Sequence, residues 1–519
     1  MLSDLTAGCR LACAGYQLAR HDGFIPPEQL AEMPWPARAA VKLARIGRGN
    51  GGEELSVTLA RIGPSYIKLG QFLATRPDIV GSARATELRV LQDRLPPFSM
   101  EEARAAILAN FGVPVETLFS EFDPPVAAAS IAQVHRARTS DGRDVAVKIL
   151  RPGIEKQFAR DLESFRLAAR IAERASAEGR RLRPRAAVET LAQSVKLEMD
   201  LRMEAAAMAE MRQNTVEDPG FRVPEVDWQR TARQVLTTEW IDGTSVADLD
   251  ALQARGLDLP ALGNLVIQSF LRHAIRDGFF HADMHQGNLF IDAQGGLVAV
   301  DFGIMGRLAP KDRLFLAEIL YGFIRRDYLR VAQVHFDAGY VPSHHDVANF
   351  AQALRAIAEP IMDRPAGEIS MARLLNQLFE VTGQFDMQTQ PQLLLLQKTM
   401  VVVDGVARTL NPDLNMWTTS EPVVREWIER KLGPAGQLEG AGEGALSLGR
   451  LVLGLPEVLE EARRATHMLS DMANSGGLRL DRETTEELAA AQARHGSIQR
   501  YALVAGALAL MAIAVSLIF

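Results

Sequence analysis

The chain has 519 residues, a net charge of -7 at pH 7 and 47% hydrophobic residues, enough for more than one hydrophobic core. Its mild acidity argues against nucleic acid as a partner. The only cysteines, Cys9 and Cys13, share one face of an expected helix, where they should pack as small apolar residues rather than form a disulfide or metal site. The first 25 residues mix Asp4, Arg10, Arg20, His21 and Asp22 into the apolar pattern, so no secretory signal is expected.

From the N-terminus, Leu2 to Gln17 has helical spacing that Gly23, Pro26 and Pro27 end. Trp35, Val41, Leu43 and Ile46 suggest a second short helix, and a third segment runs from Glu53 to Ile62. Gly63-Pro64 restarts a helix, with Pro near its first turn. That helix reads P-S-Y-I-K-L-G-Q-F-L-A-T-R-P-D and sets Lys68 and Gln71 one turn apart. Glu101 to Asn110 is a further helix.

After Pro124-Pro125 the pattern becomes β. The stretch Ala127-Ala128-Ala129-Ser130 leads into a strand from Ile131 to Thr139, a Ser140-Asp141-Gly142-Arg143 turn, and a strand from Asp144 to Leu150. Lys148 closes V-A-V-K on that last strand. In protein kinases a strand lysine in this context holds the α and β phosphates and pairs with a helix glutamate. Arg185 to Asn214 reads as one long helix, whose Glu198, Asp200 and Glu204 are the acids available to Lys148 or Lys68. A β run from Gln234 to Ile241, followed by Asp242-Gly243, suits an interlobe hinge. Its backbone at Glu239 and Ile241 could face an adenine edge.

Helices are expected at Ala261 to Asp277, Lys311 to Arg326, Tyr328 to Ala338, His345 to Pro360 and Ala372 to Thr382, with another starting near Pro391. Between the first two lies H-A-D-M-H-Q-G-N-L-F-I-D-A-Q-G-G-L-V-A-V-D-F-G, from His281 to Gly303. Its apolar runs, Leu289 to Ile291 and Leu297 to Val300, flank turn residues and should form a hairpin. The hairpin would bring Asn288 beside Asp301, with Asp283 upstream: the oxygen ligands and acid/base that phosphoryl transfer on Mg-nucleotide requires. Beyond this region, Gly433 to Gly449 reads as a flexible linker, Leu451 to Met472 as an amphipathic segment and Glu483 to His495 as a polar helix. Tyr501 to Phe519 carries no charge. As a helix it would be about 28 Å long, close to a bilayer's hydrocarbon thickness. With Arg494, His495 and Arg500 before it, it is expected to anchor the chain with its bulk in the cytoplasm.

The K-x-G-Q at Lys68 to Gln71, A-A-A-S-I-A-Q-V-H at Ala127 to His135, V-A-V-K, E-x-D at Glu198 to Asp200, H-A-D-M-H-Q-G-N and V-D-F-G occur in this order. Together they resemble the UbiB-type atypical protein-kinase-like family, also called aarF-domain kinases, over roughly Gly63 to Trp417. The resemblance implies an α+β, two-lobed kinase-like fold. It would comprise a helical extension (1–120), N-lobe (121–243), C-lobe (244–432), linker and amphipathic helices (433–500) and a transmembrane tail (501–519). It further implies ATP and Mg²⁺ as cofactors, with Lys148 on the phosphates, Glu198 as its ion-pair partner, Asn288 and Asp301 on Mg²⁺ and Asp283 as catalytic base. Ala127 to Ser130 would line the nucleotide, and Lys68 and Gln71 would pack across the site's mouth. Implied partners are a polyprenyl phenol or quinone lipid, the bacterial cytoplasmic membrane and other enzymes of ubiquinone biosynthesis.

Several departures from ordinary protein kinases bear on activity. Alanines 127–129 replace a glycine-rich loop, and their Cβ atoms disfavour the backbone conformations that loop uses. Ala282 stands where H-R-D has Arg, and no A-P-E follows Asp301-Phe302-Gly303. Peptide phosphorylation is therefore not expected, although an unorthodox protein kinase and a catalytically silent, nucleotide-gated lipid-binding scaffold remain as alternatives. The hydroxylase label used for some relatives finds no G-x-G-x-x-G flavin fingerprint. His281, Asp283 and His285 could evoke an iron triad, but His281 is expected to brace the loop instead.

Overall fold

The computed structural model describes residues 2–19, 55–74, 80, 87–88, 91, 95–175, 183–362, 380–381, 383–387 and 391–432. Helix α1 (Leu2–Ala19) turns Ala7 and Ala14 inward, and its Arg10 donates to the Arg160 carbonyl at 3.0 Å. Cys9 and Cys13 are both exposed. This corrects the expectation that they pack, because the heptad-spaced alanines form the contact face. Helices α2 (Leu55–Ile62) and α3 (Pro64–Ala74) meet at Gly63. Buried Tyr66 of α3 packs edge-on against Phe165, with ring centroids 5.1 Å apart.

Helix α4 (Met100–Phe111) begins with a capping box between Ser99 and Glu102. Strand β1 (Phe119–Ala128) starts earlier than the sequence suggests and runs through Pro124 and Pro125. Prolines are tolerated there because β1 is an edge strand with register shifts on both sides of Pro125. Strands β2 (Ala132–Thr139) and β3 (Asp144–Leu150) follow. The strict alternation of β3 sends Val145, Val147 and Ile149 into a core with Ala103 and Ile107 of α4. Lys148 therefore lies on the opposite face.

No element was expected next, yet α5 (Ile154–Ala175) forms there, burying Ile154, Phe158, Leu162, Phe165 and Ala169. The single helix expected from Arg185 to Asn214 is two, α6 (Pro184–Glu198) and α7 (Leu201–Asn214). Asp200 breaks it: its backbone is extended and its carboxylate accepts the Arg202 N–H at 3.2 Å, capping α7. After β4 (Phe221–Arg222), strand β5 (Val235–Glu239) completes the first sheet in the order β1-β2-β3-β5.

A second sheet, ordered β4-β9-β8-β6, uses β6 (Gly243–Ser245), β8 (Leu289–Asp292) and β9 (Leu297–Ala299). The β8–β9 hairpin is the one expected, with Gly295 at φ 85° in its turn. Helix α8 (Leu259–Arg272) precedes β7 (Phe279–His281), which pairs with β10 (Met305–Arg307). Gly306 in β10 faces Phe280, whose ring an added Cβ would meet at 2.1 Å. Helices α9 (Pro310–Ile324), α10 (Tyr328–Asp337) and α11 (Val347–Met362) follow, the last two sharing a second core with Phe385. The apolar helix expected from Pro391 is α12 (Pro391–Leu410), which packs on α8 so closely that a Cβ at Gly263 would sit 2.9 Å from the Ala407 oxygen. Helix α13 (Met416–Leu432) ends the described chain.

Met1–Glu429 forms one compact unit. The expected helix near residues 35–46, most of that at 372–382, and the linker, amphipathic segment, polar helix and anchor of 433–519 lie outside the described residues. Among the described residues no helix is long and apolar enough to cross a membrane.

Candidate functional site

The cleft-facing side of β3 presents Lys148 to α7. The apolar stripe of α7 buries Leu201, Ala205, Met208 and Met211, and Glu204 falls on that same stripe. A buried carboxylate must find a partner, and Lys148 Nζ donates to Glu204 Oε1 and Oε2 at 2.8 and 3.0 Å. The same ammonium reaches Asp301 Oδ1 at 3.0 Å.

The expected pairing of Glu198 with Lys148 is thereby corrected. Glu198 ends the stripe of α6, which also buries Val188, Leu191 and Val195, and it pairs with Lys68 of α3 at 2.8 Å. Because the chain breaks at Met199-Asp200, the two glutamates sit on different helices and serve different lysines. Asp200 is engaged as the α7 cap, with Arg202 donating to it at 2.7 and 2.9 Å. The Gln71 side chain, half-buried on the next turn after Lys68, makes no hydrogen bond among the described residues.

Two carboxylates share one ammonium, so the cluster is anionic whenever both are ionised. Burial pushes the Glu204 carboxyl up to about 7, against the opposing pull of Lys148 and with the help of the Asp301 charge. For Asp301, partial desolvation is outweighed by the charge and hydrogen bond of Lys148, and its carboxyl lies well below the usual range; Lys68 lowers it further. Lys148 is held protonated, burial being overcome by Asp301 and Glu204. Asp301 also adopts φ 60°, a left-handed conformation uncommon outside glycine. Its side chain is half exposed, while Phe302 beside it is buried against the His281 ring, centroids 4.9 Å apart.

The loop after β7 is held by His281. Its Nδ1 accepts the Asp283 N–H at 3.1 Å, so its Nε2 carries the proton donated to the Val300 carbonyl at 3.1 Å. Val300 N–H in turn donates to the Asn288 carbonyl at 2.9 Å. This tie sets the Asp283 loop against the segment bearing Asp301, and burial lowers the His281 pKa so that the ring stays neutral. Asn288 Nδ2 donates to the Asp283 carbonyl at 3.1 Å, leaving its Oδ1 as the atom for a ligand. The Asp283 carboxylate, partly exposed, has His285 Nε2 at 3.9 Å. His285 Nδ1 accepts the Gly287 N–H, so the histidines of H-x-D-x-H are engaged in shaping the loop rather than gathered as a metal triad.

The remaining expected residues divide in two. Arg151 donates to the Ala129 carbonyl at 2.9 and 3.1 Å and to the Pro96 carbonyl at 2.8 Å, which pins the Ala127, Ala128, Ala129 and Ser130 turn at the β1–β2 end. Gln133 and His135 of the same motif are buried pegs: Gln133 Oε1 accepts the Phe98 N–H at 2.9 Å, and His135 Nδ1 donates to the Asp123 carbonyl at 2.8 Å. At the hinge, the Glu239 N–H donates to Glu225 and the Trp240 N–H to Asp144, while the Glu239 carboxylate pairs with Arg222 at 3.0 Å. Of the two hinge residues expected to face adenine, only Ile241 has its N–H without a partner among the described residues.

The donor set fits a divalent cation bearing phosphates. Asp301 and Asn288 Oδ1 are hard oxygen ligands, and the excess negative charge around Lys148 is of the sign a cation relieves. After Gly303, six residues reach α9, and three of them are committed to β10. The segment on which a peptide lies in protein kinases is thus missing.

Residues 90–335 match the ABC1 atypical kinase-like domain and residues 354–415 the UbiB helical domain. A Marinobacter nauticus protein named Probable protein kinase UbiB is 41% identical, over 81% of this chain and 78% of its own. An Aeromonas hydrophila protein of the same name is 39% identical over 84% and 82%. The solved complex of Rv3197 with erythromycin from Mycobacterium tuberculosis is 24% identical with a TM-score of 0.46, covering 78% of this chain and 98% of its own. Motif order, site and relatives agree: the chain belongs to the UbiB family, an ABC1 atypical kinase-like domain followed by a UbiB helical domain.

Proposed function

We propose that the chain binds Mg-ATP and works as a membrane-tethered, kinase-like ATPase in ubiquinone biosynthesis, acting on or extracting a polyprenyl-quinone precursor. The observation that carries this reading is the Lys148, Glu204 and Asp301 cluster opposite Asn288 and Asp283. Mg²⁺, when bound, supplies the charge that neutralises the phosphate oxygens. Asp301 and Asn288 Oδ1 hold it, and Lys148, positioned by Glu204, binds the phosphates. Asp283 orients the attacking oxygen and accepts its proton, on a loop whose backbone His281 keeps in place. Lys68, tied to Glu198, carries α3 toward Asp301 and limits access from that side. The missing peptide platform favours a small or lipid acceptor, or water, over a protein. The uncharged 501–519 segment supports the membrane tether.

The test is ATP turnover by purified full-length protein, with and without lipid vesicles and phenolic headgroup mimics. Turnover should rise with them and be lost in Asp301→Asn; unchanged nucleotide binding and turnover in that variant would overturn the assignment. An Asp283→Ala variant that still supports quinone synthesis in cells would move the reading to a nucleotide-gated lipid-binding scaffold.

A further inference from the structure

Away from the nucleotide cleft, the helical region brings together His344, His345 and Asp386. Nε2 of His345 lies 3.2 Å, and Nε2 of His344 3.7 Å, from the same oxygen, Asp386 Oδ2. One ligand atom from each residue falls within 4.8 Å of the others. On a tetrahedral ion with bonds of about 2.0–2.1 Å, neighbouring ligand atoms are roughly 3.3 Å apart. The two nitrogen–oxygen separations bracket that value.

The chemistry of the set is selective. Two imidazoles and one carboxylate suit Zn²⁺ and its borderline divalent neighbours, whereas Mg²⁺ prefers an all-oxygen shell. The donors come from two segments 41 residues apart, and both segments are anchored. The His345 ring packs on Phe385, centroids 5.3 Å apart. Phe385 is buried against Phe350 of α11, and Val341 is buried at the other end of the histidine loop. Asp386 has φ 48°, a left-handed conformation that aspartate adopts in turns more readily than most residues, and its N–H donates to the Gly383 carbonyl at 3.4 Å. Asp346, the next acid along the loop, instead caps α11 through the Asn349 N–H at 2.8 Å.

We propose that His344, His345 and Asp386 form a site for one divalent transition-metal ion of the Zn²⁺ class, which staples the loop before α11 to the 383–387 turn. Both histidines would bind through Nε2 as neutral rings, their Nδ1 atoms carrying the proton. His344 and Asp386 are largely exposed, so the coordination sphere is open on the solvent side, where water completes it. The site is separate from the cluster around Lys148 and does not depend on the proposed ATPase reaction.

The test is Zn²⁺ titration of chelator-stripped, full-length protein with Mg²⁺ in excess, read by calorimetry and by the shift in melting temperature. Wild type should bind Zn²⁺ and melt higher with it. His344→Ala and Asp386→Asn should each lose one equivalent, or bind it at least about tenfold more weakly, while melting like wild type without metal. Because both side chains are exposed, neither variant is expected to misfold; His345→Ala, more buried, is the confirmatory variant. A Cys9→Ser, Cys13→Ser variant should keep the equivalent. If wild type binds no Zn²⁺, or the His344→Ala, Asp386→Asn double variant binds as many equivalents as tightly, the three residues are only a surface ion pair and the proposal fails.

Discussion

Lys148 is partnered by Glu204 and not by Glu198, and a double-mutant cycle in unfolding free energy can separate the two. The substitutions are Lys148→Met, Glu204→Gln and Glu198→Gln, which remove charge while keeping most of the volume. At 2.8 Å and an effective dielectric of about 20, the attraction between Lys148 and Glu204 is about 6 kcal/mol. Desolvation of two buried groups opposes it, and Asp301 keeps a hold on the ammonium after Glu204 is neutralised. The coupling expected is therefore about 2–3 kcal/mol, toward the upper end for residues in direct contact. Lys148 and Glu198 should couple by less than about 0.5 kcal/mol, the level of independent sites. Urea unfolding of nucleotide-free protein, with singles and doubles all at one pH above 8 so that Glu204 is ionised, reads both. A Lys148–Glu198 coupling equal to or larger than that of Lys148–Glu204 would refute the pairing.

The pH dependence follows from the same carboxyl. In the folded chain Glu204 titrates near 7, above its ordinary 4.5, so between these values the folded state holds a proton that the unfolded state has lost. Its contribution to stability should then fall as pH rises through that window, and Glu204→Gln should flatten the profile of melting temperature between pH 4.5 and 7. Asp301, with its lowered pKa, acts with the opposite sign and only at more acidic pH, where stability is lost as pH falls. His281→Ala would leave the Asp283 N–H and the Val300 carbonyl without their buried partner, at about 1–3 kcal/mol each. Turnover should fall while nucleotide affinity, set chiefly by Lys148, is retained; unchanged turnover would show that the loop does not need this brace.

Much of the site was legible because local chemistry dictates it. Asp292 to Gly296 offers few alternatives to a turn between two apolar runs, so the β8–β9 hairpin and the adjacency of Asn288 and Asp301 could be read directly. The alternation of V-A-V-K set Lys148 on the face opposite Val147 and Ile149. Glu204 stood among the three acids available to Lys148, and one feature singles it out: it is the acid that interrupts the apolar stripe of Leu201, Ala205 and Met208. The stripe is in register only from Leu201 onward, because Asp200 caps a new helix and resets the helical phase. The stripe of α5, Ile154, Phe158, Leu162 and Phe165, was likewise present but diluted by many charges.

Sequence by itself determined the motif order, the hairpin, the helix start at Pro64 and the family, because these depend on residues close along the chain. Tertiary structure alone decided which glutamate meets which lysine, that Pro124 and Pro125 lie within an edge strand, that Cys9 and Cys13 face solvent, and that His344 and His345 meet Asp386. Each of those outcomes depends on the facing element, and periodicity within one segment carries no record of what packs against it.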